Sequence, residues 1–383
     1  MPLHRNLVLL LTCLAASTAC NKHNSGSTSN SARSVDIYVL GTSNDSLIYW
    51  KNSQPTLLTG INGYHAYGDG IAISGNNVYV SGGSSAIQLS AYGNVWINAI
   101  ASPLADTAGN TTNTETSAIF VHGSDVFVAG IVQYDTTHGI PYTNDSAVYP
   151  LFGKVATLWR NGQPAFLPGY KLLASGYSGG SVETHSDYVS GIYISGNDVY
   201  VSGGSTSYYA DKDSSMEFAR YWKNGVNINL SPGLVEKNGT TVVDYPVTTG
   251  IFVNGNDVYL SGLRGYNQAL YWKNGSPVFL TTQQTYGAAA NAIFVTGNDI
   301  YVAGNQADAS GNNHAVYWKN GSVNQLSNNL SGAYAITIMN GDIYVAGVDY
   351  INGIGYATYW KNGVPTHLGN NGSAQAITVV PAP

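Results

Sequence analysis

Apolar and polar positions alternate with a period of two along most of this chain, and the alternation restarts every 40 to 50 residues. The copy read most cleanly spans residues 292–327. There Ala292-Ile293-Phe294-Val295 leads through Gly297-Asn298 into Asp299-Ile300-Tyr301-Val302-Ala303-Gly304, and a spacer precedes Ala315-Val316-Tyr317-Trp318-Lys319-Asn320-Gly321. Alternation rich in β-branched and aromatic residues predicts strands rather than helices. Seven copies are marked by Ile71, Ile119, Ile192, Ile251, Ile293, Ile336 and Ile377.

Each copy predicts four strands. Strand a carries the marker Ile after a small residue. A Gly-Asn or similar pair turns the chain into strand b, as in Asp198-Val199-Tyr200-Val201 and Asp342-Ile343-Tyr344-Val345, with a Gly at its end. Strand c holds Tyr-Trp-Lys at Trp222, Trp272, Trp318 and Trp360, with looser versions at Trp50, Trp96 and Trp159. Asn-Gly follows at 161–162, 224–225, 274–275, 320–321 and 362–363. That pair suits a type I′ hairpin, which needs positive φ at two successive residues. A short strand d ending in Leu completes the unit, as in Val323-Asn324-Gln325-Leu326.

A four-stranded antiparallel meander cannot bury both its faces alone, whereas several stacked radially can, so the pattern predicts an all-β β-propeller. The last copy supplies only strand a, at 375–380, before the chain stops. Residues 36–41, 47–50 and 54–58 read as the missing strands b, c and d. The N-terminal and C-terminal segments are thus expected to share the last of seven blades, with Ile37 beside Ile377. Pairing them removes two sheet edges that would invite aggregation. A repeat of this length overrides domain counting from 383 residues and predicts one body over 35–383.

Composition narrows the partners. Lys, Arg, Asp and Glu make only 9 % of the chain while Tyr occurs 29 times, so the surface is expected to be uncharged, polar and tyrosine-rich. The net charge of -6 is thinly spread with no basic stripe, which argues against nucleic acid. Cys13 and Cys20 both precede the repeats, so no disulfide staples the body.

Residues 1–19 read as an export signal: His4 and Arg5, the apolar run Leu7-Val8-Leu9-Leu10-Leu11, then small residues up to Cys20. The run is too short to span a bilayer permanently. The arrangement resembles a bacterial lipoprotein signal, which implies Cys20 as the lipidated mature N-terminus. Ser17 stands where that signal carries Leu, and simple secretion by cleavage after an Ala-x-Ala-like site is the alternative. Residues 20–34 read as a flexible tether reaching about 20 Å. The expected location is the cell envelope, as an outer-membrane or surface lipoprotein, with a secreted or periplasmic protein as the alternative.

Over 35–380 the repeat resembles the bacterial secreted and lipoprotein β-propeller repeat proteins, kelch-like in the broad sense. The resemblance is architectural. Neither the Asp-box of sialidases nor the Gly-Gly of kelch strands recurs regularly, so the resemblance implies a fold and no activity.

In such a blade the a-to-b and c-to-d turns lie at one end and the b-to-c and d-to-a connections at the other. The long connections, at 131–154, 168–190, 204–218 and 232–249, should gather on one face, where loops on a rigid scaffold carry binding residues. They hold Tyr134, Tyr142, Tyr149, Tyr170, Tyr177, Tyr188, Tyr208, Tyr209 and Tyr245. Tyrosines offer a rigid apolar face with a polar edge, suited to a sugar or peptide, and they also suit packing of the loops onto themselves. A second candidate is the position two before each marker Ile: Asp69, Ser117, Ser190, Thr249, Asn291, Tyr334 and Gln375. This column is polar but varied, whereas the next is only Gly or Ala. Solvation of a central channel explains it, and so does a ligand on the axis. The seven tryptophans read as packing between blades.

Catalytic signals are weak. His122, His138 and His185 lack metal-ligand spacing, and Asp211, Asp213 and Glu217 lack the pattern of a calcium loop. No cofactor or metal is expected. Glu183, His185 and Asp187 stand close enough in sequence for an acid–base pair. The leading expectation is a non-catalytic binding module, monomeric and tied to the membrane through its lipid alone, holding a glycan or protein partner. The alternatives are a carbohydrate-active hydrolase or lyase and a structural part of an envelope assembly.

Overall fold

The computed structural model describes residues 34–61, 64–86, 89–106, 113–135, 152–168, 184–209, 214–231, 246–265, 268–282 and 287–383. The alternating segments form strands in the predicted order. The first meander comprises β1 (Val35–Ser43), β2 (Ser46–Lys51) and β3 (Gln54–Leu58), followed by β4 (His65–Ser74), β5 (Asn77–Ala86), β6 (Leu89–Ile97) and β7 (Ile100–Pro103). Next come β8 (Thr114–His122), β9 (Asp125–Asp135), β10 (Phe152–Arg160) and β11 (Gln163–Phe166), then β12 (Thr184–Ser195), β13 (Asp198–Tyr209), β14 (Ser214–Lys223) and β15 (Val226–Ser231). The series continues with β16 (Val247–Asn254), β17 (Asp257–Arg264), β18 (Gln268–Lys273) and β19 (Ser276–Phe279), and with β20 (Ala288–Thr296), β21 (Asp299–Ala307), β22 (Asn313–Lys319) and β23 (Ser322–Gln325). It ends with β24 (Ser331–Met339), β25 (Asp342–Ile351), β26 (Ile354–Lys361), β27 (Val364–Asn370) and β28 (Ala374–Pro381).

These strands make six sheets, five of four strands and one of eight. The larger sheet consists of β8–β11 and β12–β15 joined by a short parallel bridge, Gly153 opposite His185 and Lys154 opposite Ser186. Because β10 and β12 extend into what the sequence reading assigns to long connections, they reach each other at their ends. The same extension puts Tyr134 at the end of β9 and Tyr208 and Tyr209 at the end of β13. β1 pairs antiparallel with β28, with Ile37 opposite Val379 and Val39 opposite Ile377. The expected partners are therefore displaced by two residues, a shift that leaves every side chain on its intended face.

Each sheet buries its residues against the next rather than against itself. One core cluster joins Leu40, Leu47 and Leu58 to Ile71, Val80 and Trp96 of the following meander. All seven tryptophans are buried. Three of the indole N–H groups reach backward to the exit of the preceding outer strand: Trp96 donates to Thr59 O at 2.8 Å, Trp159 to Ala105 O at 2.6 Å and Trp222 to Pro168 O at 2.7 Å. The innermost strands touch in the order β4, β8, β12, β16, β20, β24, β28 and back to β4.

A second repeated device fixes the hairpin end. In all seven meanders the Asn after strand c accepts the N–H of the second residue of strand b through its side chain, as Asn320 does from Ile300 at 2.9 Å. Its amide donates back to the first residue of strand b, Asp299 Oδ1 at 2.8 Å. The other Asp299 oxygen meets Lys319 Nζ at 2.9 Å, and Lys319 lies over the Tyr301 ring at 5.2 Å. The Asn320 and Lys319 donors hold the Asp299 carboxyl below the usual carboxylate range. Five of the six lysines among the described residues are spent in such staples.

Candidate functional site

The varied polar column of the sequence has a geometric cause. Each of the seven innermost strands carries a β-bulge, and the unpaired residue is the column member: Asp69 in β4, Ser117 in β8, Ser190 in β12, Thr249 in β16, Asn291 in β20, Tyr334 in β24 and Gln375 in β28. A bulge leaves one residue outside the ladder and bends its strand. Four of the seven use their freed side chains to reach the next innermost strand. Thr116 Oγ1 donates to Asp69 Oδ2 at 2.6 Å, and Ser190 and Thr248 share a hydroxyl pair at 3.0 Å. Thr249 donates to Ala290 O at 2.6 Å and Asn291 to Ala333 O at 2.8 Å. The position must be polar to make this lateral bond, and many polar side chains suffice. Gln375 is exposed and bonds Ser373 Oγ, while burial raises the Tyr334 phenol above its ordinary range.

Within that column Asp69 alone bears a carboxyl group. Burial, reinforced by the nearby Glu115 carboxylate and opposed by the Thr116 hydrogen bond, pushes its carboxyl up to about 7. Glu115 is half-exposed and pairs with Lys154 at 3.3 Å. Tyr67 completes the group, its phenol raised first by burial and then by both acids. Asp69, Glu115 and Tyr67 thus bring together a carboxyl raised by burial, a carboxyl paired with Lys154 and a phenol where β4 meets β8. The sequence signal was available in the one acidic member of a neutral column.

One layer deeper, equivalent positions of four consecutive innermost strands carry rings in contact. Phe120 and Tyr193 lie 5.3 Å apart, Tyr193 and Phe252 4.7 Å, and Phe252 and Phe294 4.7 Å. The column continues as Thr337, Thr378 and Ala72, so four rings are followed by three small residues.

The remaining sequence candidates scatter. Tyr188 is a packed residue: its hydroxyl accepts the Thr248 N–H at 3.2 Å, and its ring covers Gly204 where a side chain would otherwise stand. Asp187 is buried, with Oδ2 accepting the Ala156 N–H at 3.2 Å. Thr114 and Ser331, at the same place in β8 and β24, accept the amides of Gly93 and Ala315 in the same way. Asp187 therefore performs a bond made elsewhere by neutral hydroxyls. His185 lies in β12 and Tyr134, Tyr208 and Tyr209 at strand ends, but their side chains lie outside the described residues. Tyr142, Tyr149, Tyr170, Tyr177, Tyr245, Glu183 and Cys20 lie outside the described residues altogether. Among the described residues no group of three or more His, Cys, Asp or Glu could hold a metal ion, and no helix is long and apolar enough to cross a membrane.

No family model matches the sequence, and no curated protein matches it. Among solved structures, a puromycin-hydrolyzing peptidase of Mycobacterium tuberculosis aligns with a TM-score of 0.51 at 8% identity, over 88% of this chain and 53% of that one. The fold is β-propeller-like. Trypanosoma rangeli sialidase aligns with a TM-score of 0.43 at 9% identity, over 86% of this chain and 56% of the sialidase. Apo AztD from Citrobacter koseri gives 0.36 at 10% identity, over 91% and 98%. The chain spans little more than half the length of the peptidase and the sialidase. At these identities the likeness concerns the fold alone.

Proposed function

We propose that this protein is an exported, lipid-tethered, seven-bladed β-propeller that binds a glycan or protein partner on the face bearing its long connections, without catalysis. Counting the two bridged meanders as separate blades gives seven. Pairing of β1 with β28 and the circuit of innermost strands support closure. One observation carries the functional reading. Every a-to-b and c-to-d connection is a two-residue hairpin, while the b-to-c and d-to-a connections include 136–151, 167–183 and 232–246. Chain length has accumulated on one face only, where it does not disturb the ladder. The described body begins at Ser34 at the hairpin end, opposite that face.

The test is a glycan array and a pull-down with protein starting at Ser34. Binding to a glycan or a single partner, lost when the 136–151 connection is shortened, is the expected result. Silence in both assays would remove the reading.

A second reading, a carbohydrate-active hydrolase or lyase, is favoured by Asp69 beside Glu115 and Tyr67. It does not draw on Asp187, whose carboxylate is occupied by the Ala156 amide. Turnover of a polysaccharide panel that Asp69→Asn abolishes would establish it, and turnover indifferent to Asp69, Glu115 and Tyr67 would exclude it.

A further inference from the structure

The hairpin end, opposite the long connections, holds a cleft of about 490 Å³ between the sheet of β1–β3 and the sheet of β4–β7. Tyr38, Tyr49, Gln54 and Thr56 line one wall, and Asn76 and Val78 the other. Its volume falls in the range of small-molecule clefts, about 300–1,000 Å³.

The charged group of the cleft is already satisfied. Lys51 Nζ lies 2.8 Å from Asp36 Oδ2 and over the Tyr38 ring, so the pair adds no net charge. Asn52 and Asn98 are likewise committed, each accepting a strand-b amide and donating to the residue before it. Four groups are left over: the Gln54 and Asn76 amides and the Thr56 and Tyr49 hydroxyls have no hydrogen-bond partner among the described residues. Gln54 and Asn76 are exposed, and Tyr49 is half-buried with its ring against the core.

The same two walls break the rules of the repeat. Five c-to-d hairpins place Gly at the second left-handed position, with φ between 78° and 83°. The two that flank the cleft place Ser53 at φ 67° and Ala99 at φ 68°. A side chain in that region is strained and tends to persist where function requires it. The outer strand departs as well. The positions of Gln54 and Thr56 are Ile100 and Ser102 in β7, Val226 and Ile228 in β15, and Val364 and Thr366 in β27. β11 shares the Gln-Pro opening as Gln163-Pro164 but has Ala165 where β3 has Thr56, so what sets β3 apart is a hydroxyl two residues after the amide, with Pro55 between them fixing the backbone that carries both. A repeat protein that departs from its own pattern at one seam does so where local consistency has yielded to use.

We infer that this seam is a second binding site, for a short segment of neutral glycan. The accessible part of the Tyr49 ring supplies an apolar contact, and uncharged amides and hydroxyls donate and accept around it, which matches a ring rich in hydroxyl groups and without charge. The ordered walls lower the entropic cost of binding. An anionic glycan has no unpaired cation to meet here, since Lys51 is held by Asp36.

Affinity electrophoresis of the full chain in mild detergent tests this, in native gels containing laminarin, xylan, galactomannan or polygalacturonate. Retardation by at least one neutral polymer, insensitive to added salt, is expected. The double variant Gln54→Ala, Asn76→Ala should weaken it by about tenfold or more, as loss of two hydrogen bonds implies. The matched control Ser322→Ala, Asn324→Ala, at the corresponding edge of β23, should retain it. Both pairs lie on exposed or half-exposed edges, and unchanged thermal melts would show intact folds. Absence of retardation by every neutral polymer, retardation by polygalacturonate alone, or equal retardation of the Gln54/Asn76 variant would overturn the assignment. Binding that survives this variant but disappears on shortening 136–151 would locate it on the long-connection face instead.

Discussion

A methyl group placed on Gly304 would overlap the carbonyl oxygen of Ala289 in the neighbouring strand. The pair straddles the bulge at Asn291, where β20 bends toward β21. Gly41, Gly82, Gly130, Gly203, Gly262 and Gly347 meet the carbonyls of Ser373, Tyr67, Glu115, Tyr188, Val247 and Gly332 in the same way. The Gly at the end of each strand b is thus the counterpart of the bulge in each strand a, and neither can be kept without the other.

This gives an ordering opposite to the usual expectation for glycines. Gly304→Ala should cost about 3 kcal/mol or more, because the clash is with backbone that is itself in the ladder. Gly297 has φ +57° with open space around it, so Gly297→Ala should cost only about 1 kcal/mol. Urea denaturation of the two variants measures both, and equal costs would count against the bulge as the reason for Gly304.

Strand order, hairpin turns and the tryptophan core were legible because each leaves a signature in side-chain type: alternation, Asn-Gly, one large ring per copy. The bulges were not, since a bulge is a register event and registers have no composition. Asp69, Asn291 and Tyr334 looked like residues kept polar by water or a ligand, and the lateral bonds that Asp69 and Asn291 make to the next strand became visible only with the neighbour in place. A trace did exist in the invariant Gly of strand b paired with a Gly-or-Ala column in strand a. The Gly-Gly pairs at 82–83 and 203–204, irregular in sequence, also acquire a reason. The second Gly occurs where Tyr67 or Tyr188 must lie flat across the strand.

In the hairpin staple the neutral member should matter more than the charged ones. Asn320 holds the left-handed turn at φ 51° and satisfies the Ile300 amide. Asn320→Ala should therefore cost about 2 kcal/mol, combining turn strain with an orphaned donor. Lys319 and Asp299 meet in open solvent, where ion pairs contribute little, so Lys319→Ala should leave the melting midpoint unchanged at any salt concentration. A large loss for Lys319→Ala with little for Asn320→Ala would reverse the assignment.

The tryptophans differ in one atom's environment. Trp159 Nε1 donates to Ala105 O, whereas Trp360 Nε1 is buried without a partner among the described residues. Replacement by Phe removes similar apolar surface at both sites but breaks a hydrogen bond only at the first. Trp159→Phe should consequently cost about 1 kcal/mol more than Trp360→Phe, a difference that paired urea denaturation curves resolve.

The last expectation concerns pH. Asp69 has a folded-state pKa of about 7, above the ordinary value of 3.8. Between those two values the folded protein holds a proton that the unfolded chain has released, so stability is greatest below pH 4 for this group and is lost as pH rises through 7. The loss should amount to roughly 2–4 kcal/mol, since each pH unit separating the folded and unfolded pKa contributes at most about 1.4 kcal/mol. The staple carboxylates of Asp257, Asp299 and Asp342 act in the other direction, but their pKa values are lowered and they titrate below this window. Asp69→Asn keeps an acceptor for Thr116 and removes the charge, so it should flatten the decline between about pH 4 and pH 7 and raise the melting midpoint at and above the upper end. A decline of unchanged slope in Asp69→Asn would place its origin elsewhere, with Glu217, also raised by burial, as the next group to replace.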